Sequence, residues 1–176
     1  MDRKQIFYIL LLALLSVGCF VFYLWSNDQT NKIIESQQQE INQLNAAHMQ
    51  KMKSNKDLIS AVKAGDLTKI QELIKSGADV NAKDADGRPA LMCDFGNIEI
   101  VNELIKDGVN VNATSPDKKT ALIRASESGN IDILKALIAA GANVNAKDSY
   151  GKTALAYASQ NKSTEIINIL KTAGAN

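Results

Sequence analysis

A six-residue pattern recurs at a nearly constant interval through the carboxyl-terminal part of the chain. It is Gly-Ala-Asp-Val-Asn-Ala at residues 77–82, and it returns with small changes at residues 108–113 and 141–146. Gly174-Ala175-Asn176 begins a fourth copy, and the leading glycines are 31, 33 and 33 residues apart. A period of this length predicts structural repeats that stack, because one such unit cannot bury its own apolar face.

Each period predicts two helices joined by turns. Thr120 and Thr153 are suited to cap the first helix. The second helix carries apolar residues three and four apart, and the leading glycine of the pattern ends it. The glycines that end the first helix are Gly65, Gly96 and Gly129. The apolar stripe of the third period is Ile131, Leu134, Leu137 and Ile138. The predicted fold class is therefore all-α, a solenoid of four helix-turn-helix units at about residues 54–83, 84–114, 115–147 and 148–176.

The second unit is two residues shorter than the third. Leu91 precedes Gly96 by five residues, whereas Leu122 precedes Gly129 by seven. Removing two residues from an α-helix turns the side chains that follow by about 200°. We therefore predict a frayed or 3₁₀-like first helix in this unit, with imperfect stacking around it.

These features resemble the ankyrin repeat over residues 55–176. The motifs that carry the resemblance are the 33-residue period, Gly-Ala-Asp-Val-Asn-Ala, and Asp-Ala-Asp-Gly-Arg at residues 84–88. The chain departs from the family's Thr-Pro-Leu-His-x-Ala element, since Met92, Ile123 and Ala156 stand where the histidine is usual. The resemblance is to membrane-anchored, bacterial-type members. It implies a protein partner, bound through the concave face and the turn tips.

The resemblance also implies which side chains meet that partner, because the family's variable surface positions map onto this sequence. Tyr150 and Arg88 rank first, since interface energy concentrates in tyrosine, tryptophan and arginine. The predicted partner-binding residues are Tyr150, Arg88, Arg124, Phe95, Lys119, Asp117, Lys152 and Asp86.

Eighteen of the twenty residues at positions 6–25 are apolar. A helix of this length matches the hydrocarbon core of a bilayer, which is about 30 Å thick. Residues 1–25 are therefore predicted to be a single transmembrane anchor that contacts lipid through residues 6–25. Arg3 and Lys4 precede the apolar run and Lys32 is the next basic residue after it, which favours a cytoplasmic amino terminus. The repeats then lie on the far side of the membrane, in the periplasm if the source is a bacterium.

The candidate anchor has two other interpretations. One is a cleaved signal peptide, although the apolar region of such peptides is only about 7–15 residues long. The other is a lipoprotein signal cut before Cys19, although Leu15 is one place too early for that motif. A secreted protein or a lipoprotein stays an alternative to the anchored form.

Residues 26–54 form a polar stalk between the anchor and the repeats. They are rich in Gln, Asn, Ser and Lys and contain neither Pro nor Gly. We predict a solvated helix that spaces the repeats from the membrane. Ile34, Ile41 and His48 are seven residues apart, with Leu44 between them. This stripe is shorter than the three or four heptads typical of a coiled coil, so an oligomer formed through the stalk stays an alternative.

Few kinds of chemistry fit the repeat region. It contains no histidine, which excludes Ser–His and Cys–His nucleophile pairs and the usual zinc ligand. It has no glycine-rich phosphate-binding loop, and Cys93 is expected to be a buried structural thiol. Asp84 and Asp86 fit a turn better than a metal site. Residues 55–176 carry 15 basic and 15 acidic side chains, which gives no electrostatic basis for binding nucleic acid.

These observations predict a protein that is not an enzyme and that uses no cofactor, metal or small-molecule substrate. The function that fits best is a membrane-tethered module that binds a protein partner. One alternative is a scaffold or spacer of the cell envelope that assembles through the stalk. The other is an immunity or protective protein that occludes one enzyme or toxin.

Overall fold

The computed structural model describes residues 3–93 and 96–176, apart from the side chains of residues 3–9, 11, 12 and 24. The chain divides into two compact units, one ending at Met49 and the other comprising Gln50–Asn176. The described residues form helices joined by turns, with isolated antiparallel bridges and no strand among them, which confirms the all-α class. Phe95, one of the predicted partner-binding residues, lies outside the described part of the chain.

The first helix, α1, comprises Arg3–Ala64. It contains all of residues 26–54, so the predicted helical character of the stalk is confirmed. In the amino-terminal unit, several apolar side chains of the stalk are exposed. They are Ile33, Ile34, Ile41, Leu44 and Met49.

Among the described residues, no helix is both long enough and apolar enough to span a membrane. The predicted anchor at residues 6–25 includes side chains outside the described set, at positions 6–9, 11, 12 and 24. The anchor therefore stays a prediction.

The carboxyl-terminal unit is built from pairs of helices in two layers. The helices that follow α1 are α2 (Leu67–Lys75), a 3₁₀-helix (Ala90–Met92), α3 (Ile98–Lys106), α4 (Ala121–Ser128), α5 (Ile131–Ala139), α6 (Ala154–Gln160) and α7 (Thr164–Thr172). In one layer the 3₁₀-helix packs against α4, and α4 packs against α6. In the other layer α2, α3, α5 and α7 pack in that order. This is the stacked arrangement that the period predicts.

Local hydrogen bonds fix where the helices begin and end. Thr120 and Thr153 each accept a bond on Oγ1 from the backbone N–H three residues later, as predicted. Gly129 ends α4 with a φ of 78°, and Gly65 follows α1 with a φ of 75°. The glycine after each second helix also has a positive φ, and its N–H bonds to the last turn of the helix. These glycines are Gly77, Gly108, Gly141 and Gly174.

The apolar core lies between the two layers and runs through all four units. Leu134 and Leu137 of the predicted stripe are fully buried, whereas Ile131 and Ile138 are half-buried. Burial of this continuous apolar surface is the main force that holds the units together. The largest fully buried side chains are Leu58, Ile70, Leu91, Ile100, Leu104, Leu122, Ile123, Ile133, Leu134, Leu137, Ile166 and Leu170.

The shortened second unit has a 3₁₀-helix of three residues where the third and fourth units have α-helices of eight and seven residues. The prediction of a 3₁₀-like helix is therefore confirmed. Ala90, Leu91 and Met92 are nonetheless buried, with exposed fractions of 1–3%. The short unit thus still contributes to the common core.

A ladder of asparagine side chains joins neighbouring units beside the second helices. Asn81 Oδ1 accepts a hydrogen bond from the Asn110 N–H, and Asn112 Oδ1 accepts one from the Asn143 N–H, both at 2.7 Å. The same bond recurs one unit later at 3.1 Å. The asparagine of the recurring pattern therefore links the units, a role that the period alone does not indicate.

Ser126 on α4 is fully buried, and within the described range its Oγ has no hydrogen-bond partner. An unpaired buried hydroxyl costs free energy, so Ser126→Ala should raise the free energy of unfolding by about 1 kcal/mol. Urea unfolding of the full-length chain in detergent, followed by circular dichroism, measures this change. Ser159 is the matched control, because it has the same place on α6 but is exposed and bonded to the Leu155 carbonyl. A less stable Ser126→Ala variant would contradict the expectation.

Candidate protein-interaction surface

Three turns, each preceding the first helix of a unit, form a row. We name them turn 2 (residues 84–88), turn 3 (residues 115–119) and turn 4 (residues 148–152). In each one, the N–H of the first residue bonds to the carbonyl of the last at 2.9–3.0 Å. Gly87 of turn 2 lies against the Pro116 ring of turn 3. A Cβ added to this glycine would be only 3.2 Å from the ring. Turn 3 contacts turn 4 as well, since the Ser149 N–H donates to the Asp117 carbonyl at 2.9 Å.

Asp84 holds turn 2 together. Its side chain is 3% exposed and accepts hydrogen bonds from the backbone N–H groups of Asp86 and Arg88 at 3.0 and 2.9 Å. Lys63 of α1 and the Arg88 guanidinium contact its second oxygen at 3.1 and 2.9 Å. Burial opposes the charged form, but these bonds and cations outweigh it and hold the pKa of Asp84 well below its usual range. The carboxylate therefore ties the end of α1 to turn 2.

Cys93 follows the 3₁₀-helix and is half-buried. Its thiol donates to the Pro89 carbonyl, with Sγ and O 3.4 Å apart. Burial raises the pKa of the Cys93 thiol, with the nearby Asp84 carboxylate adding to the effect. Because the thiolate is the reactive form, this position supports a structural role for the thiol.

Asp148 has the corresponding role in turn 4. It is 5% exposed and accepts hydrogen bonds from the N–H groups of Tyr150 and Lys152, both at 2.9 Å. The Tyr157 hydroxyl donates to its other oxygen at 2.6 Å. Burial opposes ionisation of Asp148, yet the hydrogen bonds lower its pKa. Donation to the carboxylate raises the pKa of Tyr157.

The Tyr157 ring joins turns 3 and 4 through two lysines. Lys119 Nζ lies 4.9 Å from the ring centroid and Lys152 Nζ lies 5.4 Å from it, both within the range of cation–π attraction. Lys119 also pairs with Glu127 at 2.9 Å, and its side chain is only 14% exposed. Burial opposes the charge on Lys119, but the Glu127 carboxylate outweighs it and raises the pKa of the amine. The positive charge of Lys119 therefore interacts with Glu127 and Tyr157 within the fold.

Turn 3 differs from its neighbours because Ser115 occupies the place of the buried aspartate. The Ser115 hydroxyl donates to the exposed Asp117 carboxylate, and this bond lowers the pKa of Asp117. Lys118 has a φ of 60°, whereas the corresponding residues of turns 2 and 4 are Gly87 and Gly151. Turn 3 therefore has a lysine in a left-handed conformation that favours glycine.

The structure places the predicted partner-binding residues in two groups. Tyr150 is 78% exposed at the tip of turn 4, and Asp86 and Asp117 are exposed at the tips of turns 2 and 3. The other described members are partly buried; Arg88 and Lys119 form ion pairs within the fold, and Lys152 lies over the Tyr157 ring. These members are Arg88, Lys119, Arg124 and Lys152.

Sequence reasoning missed the partners of the buried carboxylates. Tyr157 follows Asp148 by nine residues, and Cys93 follows Asp84 by the same interval. Cys93 and Tyr157 occupy the same position in their units. The interval of nine residues from the turn aspartate could therefore have identified them as its partners. Glu127 gave no such signal, because its contact with Lys119 depends on how α4 folds back over turn 3.

The comparison with known families supports this architecture. The family profile described as "Ankyrin repeats (3 copies)" matches residues 58–148 and again residues 91–176. The chain belongs to the ankyrin repeat family. No curated protein matches it. The ankyrin repeat fold is typically a non-enzymatic scaffold for protein–protein interaction, and the part of the chain that the structure describes has no group of His, Cys, Asp and Glu placed to hold a metal ion.

Acid should destabilise the ankyrin repeats, because Asp84, Asp117 and Asp148 have lowered pKa values in the folded state. Unfolded aspartates take up protons first as the pH falls, with a pKa of about 3.9. The stabilisation is therefore complete above about pH 5 and is lost as the pH falls through the folded-state values. We expect the free energy of unfolding to decrease by on the order of 2 kcal/mol between pH 5 and pH 3, mainly through the buried Asp84 and Asp148, because water screens the exposed Asp117. Urea unfolding at pH 7, 5, 4 and 3 measures it, and an unchanged midpoint below about pH 5 would contradict the assignment.

Proposed function

We propose that this protein is a membrane-tethered module whose ankyrin repeats bind one protein partner. The fold supports the binding part, because stacked units present an extended surface that other proteins recognise. The proposal assigns the chain no catalytic activity, cofactor, small-molecule substrate or nucleic acid, as the sequence predicts. Its site is the row of turns 2, 3 and 4 together with the adjacent first helices.

The observation that carries the proposal is the exposure of Tyr150. Among the large apolar side chains described after Met52, Tyr150 is the only exposed one, at 78%. Tyrosines of this kind supply much of the energy of protein interfaces. The Tyr150 N–H donates to Asp148, so the backbone of the turn is already ordered. Binding of a partner therefore costs little additional backbone entropy.

The tether is supported by the sequence and by exposed apolar side chains on α1. Leu14, Phe20, Phe22 and Trp25 are each more than half exposed. Such exposure is unfavourable in water and favourable in lipid. We infer that residues 6–25 lie in the bilayer with the amino terminus in the cytoplasm. The repeats then lie on the far side, which is the periplasm in a bacterium.

A scaffold of the cell envelope is the second candidate, and the stalk favours it. Ile34, Ile41 and Leu44 are exposed along one stripe of α1, where a second copy of the chain can cover them. Sedimentation of the full-length chain in detergent separates the two candidates. A dimer that forms with increasing concentration supports assembly through the stalk, and a monomer argues against it. An immunity function is the special case in which the partner is an enzyme or a toxin.

Cross-linked co-purification from the protein's own membranes tests the binding function. The matched control is a chain that ends at residue 54, because it keeps the predicted anchor and stalk and lacks the repeats. We expect a protein that the full-length chain retains and the control loses. Recovery of the same proteins with both chains would show that the repeats select no partner.

Membrane extraction and protease treatment test the tether. We expect the full-length chain to stay in the membrane pellet after alkaline carbonate treatment. We also expect protease added from the far side of the membrane to remove residues 50–176. Release of the chain by carbonate would contradict the anchor, and protection of the repeats would contradict the orientation.

A further inference from the structure

Two neighbouring turn tips carry an exposed aromatic ring and an exposed cation. Tyr150 at the tip of turn 4 is 78% exposed, and Lys118 at the tip of turn 3 is exposed as well. The Ser149 N–H donates to the Asp117 carbonyl at 2.9 Å. Tyr150 and Lys118 directly follow these two bonded residues, so they lie on adjacent tips.

The charge around the ring is positive. Lys147 precedes turn 4 and Lys152 ends it. Within the ranges 3–93 and 96–176, no carboxylate lies at ion-pair distance from Lys118, Lys147 or Lys152. These turns also carry Asp148, which is buried, and Asp117, which is exposed and accepts a hydrogen bond from Ser115, so the three lysines leave an excess of one positive charge. The three lysines therefore attract negative charge from outside the fold.

The backbone conformation of Lys118 is strained and lowers the stability of the fold. Its φ of 60° lies in the left-handed region, where a residue with a Cβ is strained. Turns 2 and 4 have Gly87 and Gly151 at the same place, so the turn itself does not need a lysine.

We propose that the tips of turns 3 and 4 form a docking site for a carboxylate-rich segment of the protein partner. The Tyr150 ring packs against the segment, and Lys118, Lys147 and Lys152 pair with its acidic side chains. This inference rests on the proposed binding function and adds the chemistry of the partner. Complementary charge speeds the encounter and disfavours basic partners.

The first test compares two lysines with the same strain. Lys162, between α6 and α7, has a φ of 55° and lies outside the proposed site. Lys118→Gly and Lys162→Gly should both raise the urea midpoint of the full-length chain. Only Lys118→Gly should also reduce partner retention in cross-linked co-purification, by at least about fivefold. Loss of binding in a stabilised variant cannot come from unfolding, and equal retention by both variants would overturn the role of Lys118.

The second test identifies what Tyr150 touches. A photo-crosslinking amino acid replaces Tyr150 in the full-length chain, and a control probe replaces Lys135 on α5. We expect the Tyr150 probe to label a protein segment rich in Asp and Glu. A neutral or basic protein segment would overturn the docking chemistry and leave protein binding standing. Labelling of lipid or nucleic acid, or of a partner from position 135 only, would overturn the docking site. Failure of both probes to label any protein would overturn the proposed function too.

Discussion

Replacing Asp84 by alanine should lower the free energy of unfolding of the ankyrin repeats by about 2–3 kcal/mol. The buried carboxylate accepts two backbone N–H bonds within turn 2, and both lose their acceptor in the variant. It also contacts Lys63 and Arg88, whose side chains are 45% and 37% exposed. Because water can solvate these two cations after the replacement, we expect a smaller loss than for a fully buried ion pair.

Two further variants separate the contributions to this loss. Asp84→Asn keeps an oxygen for the backbone N–H groups and removes the charge, so we expect about half the effect. Asp86→Ala is the matched control, because its side chain is 75% exposed, and its effect should stay within about 0.5 kcal/mol. All three are measured by urea unfolding of the full-length chain in detergent. Equal stability of Asp84→Ala and Asp86→Ala would show that turn 2 does not depend on the buried carboxylate.

The helices could be predicted from the sequence because their boundaries are set by local chemistry. A threonine that caps a helix bonds to an N–H three residues away, and a glycine with positive φ ends a helix within one turn. The 3₁₀-helix of the second unit was predictable for the same reason. The short helix follows from the number of residues between Leu91 and Gly96. Its prediction did not require knowing which residues pack against it.

The polar contacts between units could not be predicted in the same way. Asp84 and Lys63 are 21 residues apart, and the ladder joins Asn81 to Asn110 over 29 residues. Whether such side chains meet depends on the stacking geometry, which a period does not specify. Arg88 shows the consequence. Its residue type ranks it as a binding residue, whereas the fold places its guanidinium on Asp84 and Asp86. Its contact with a partner stays a prediction.

Replacing Tyr150 by alanine should weaken partner retention more than tenfold, which corresponds to about 1.4 kcal/mol. The ring is the large exposed apolar group of the turn tips that the structure describes, and a partner that covers it removes its surface from water. The fold does not depend on that ring, because turn 4 is held by the backbone N–H of Tyr150 and not by its side chain. The urea midpoint should therefore stay unchanged while binding is lost.

Tyr150→Phe is the matched control for this loss, since it keeps the ring and removes only the hydroxyl. We expect it to retain the partner to within about threefold, because burial of the ring supplies most of the energy. A double replacement with Arg88 would mix two effects, since Arg88 also holds the buried carboxylate of turn 2. Tyr150 alone therefore gives the cleaner measurement. Full partner retention by Tyr150→Ala, with an unchanged urea midpoint, would show that the tip of turn 4 does not contact the partner. The concave face of the repeats would then be the remaining candidate for the interface.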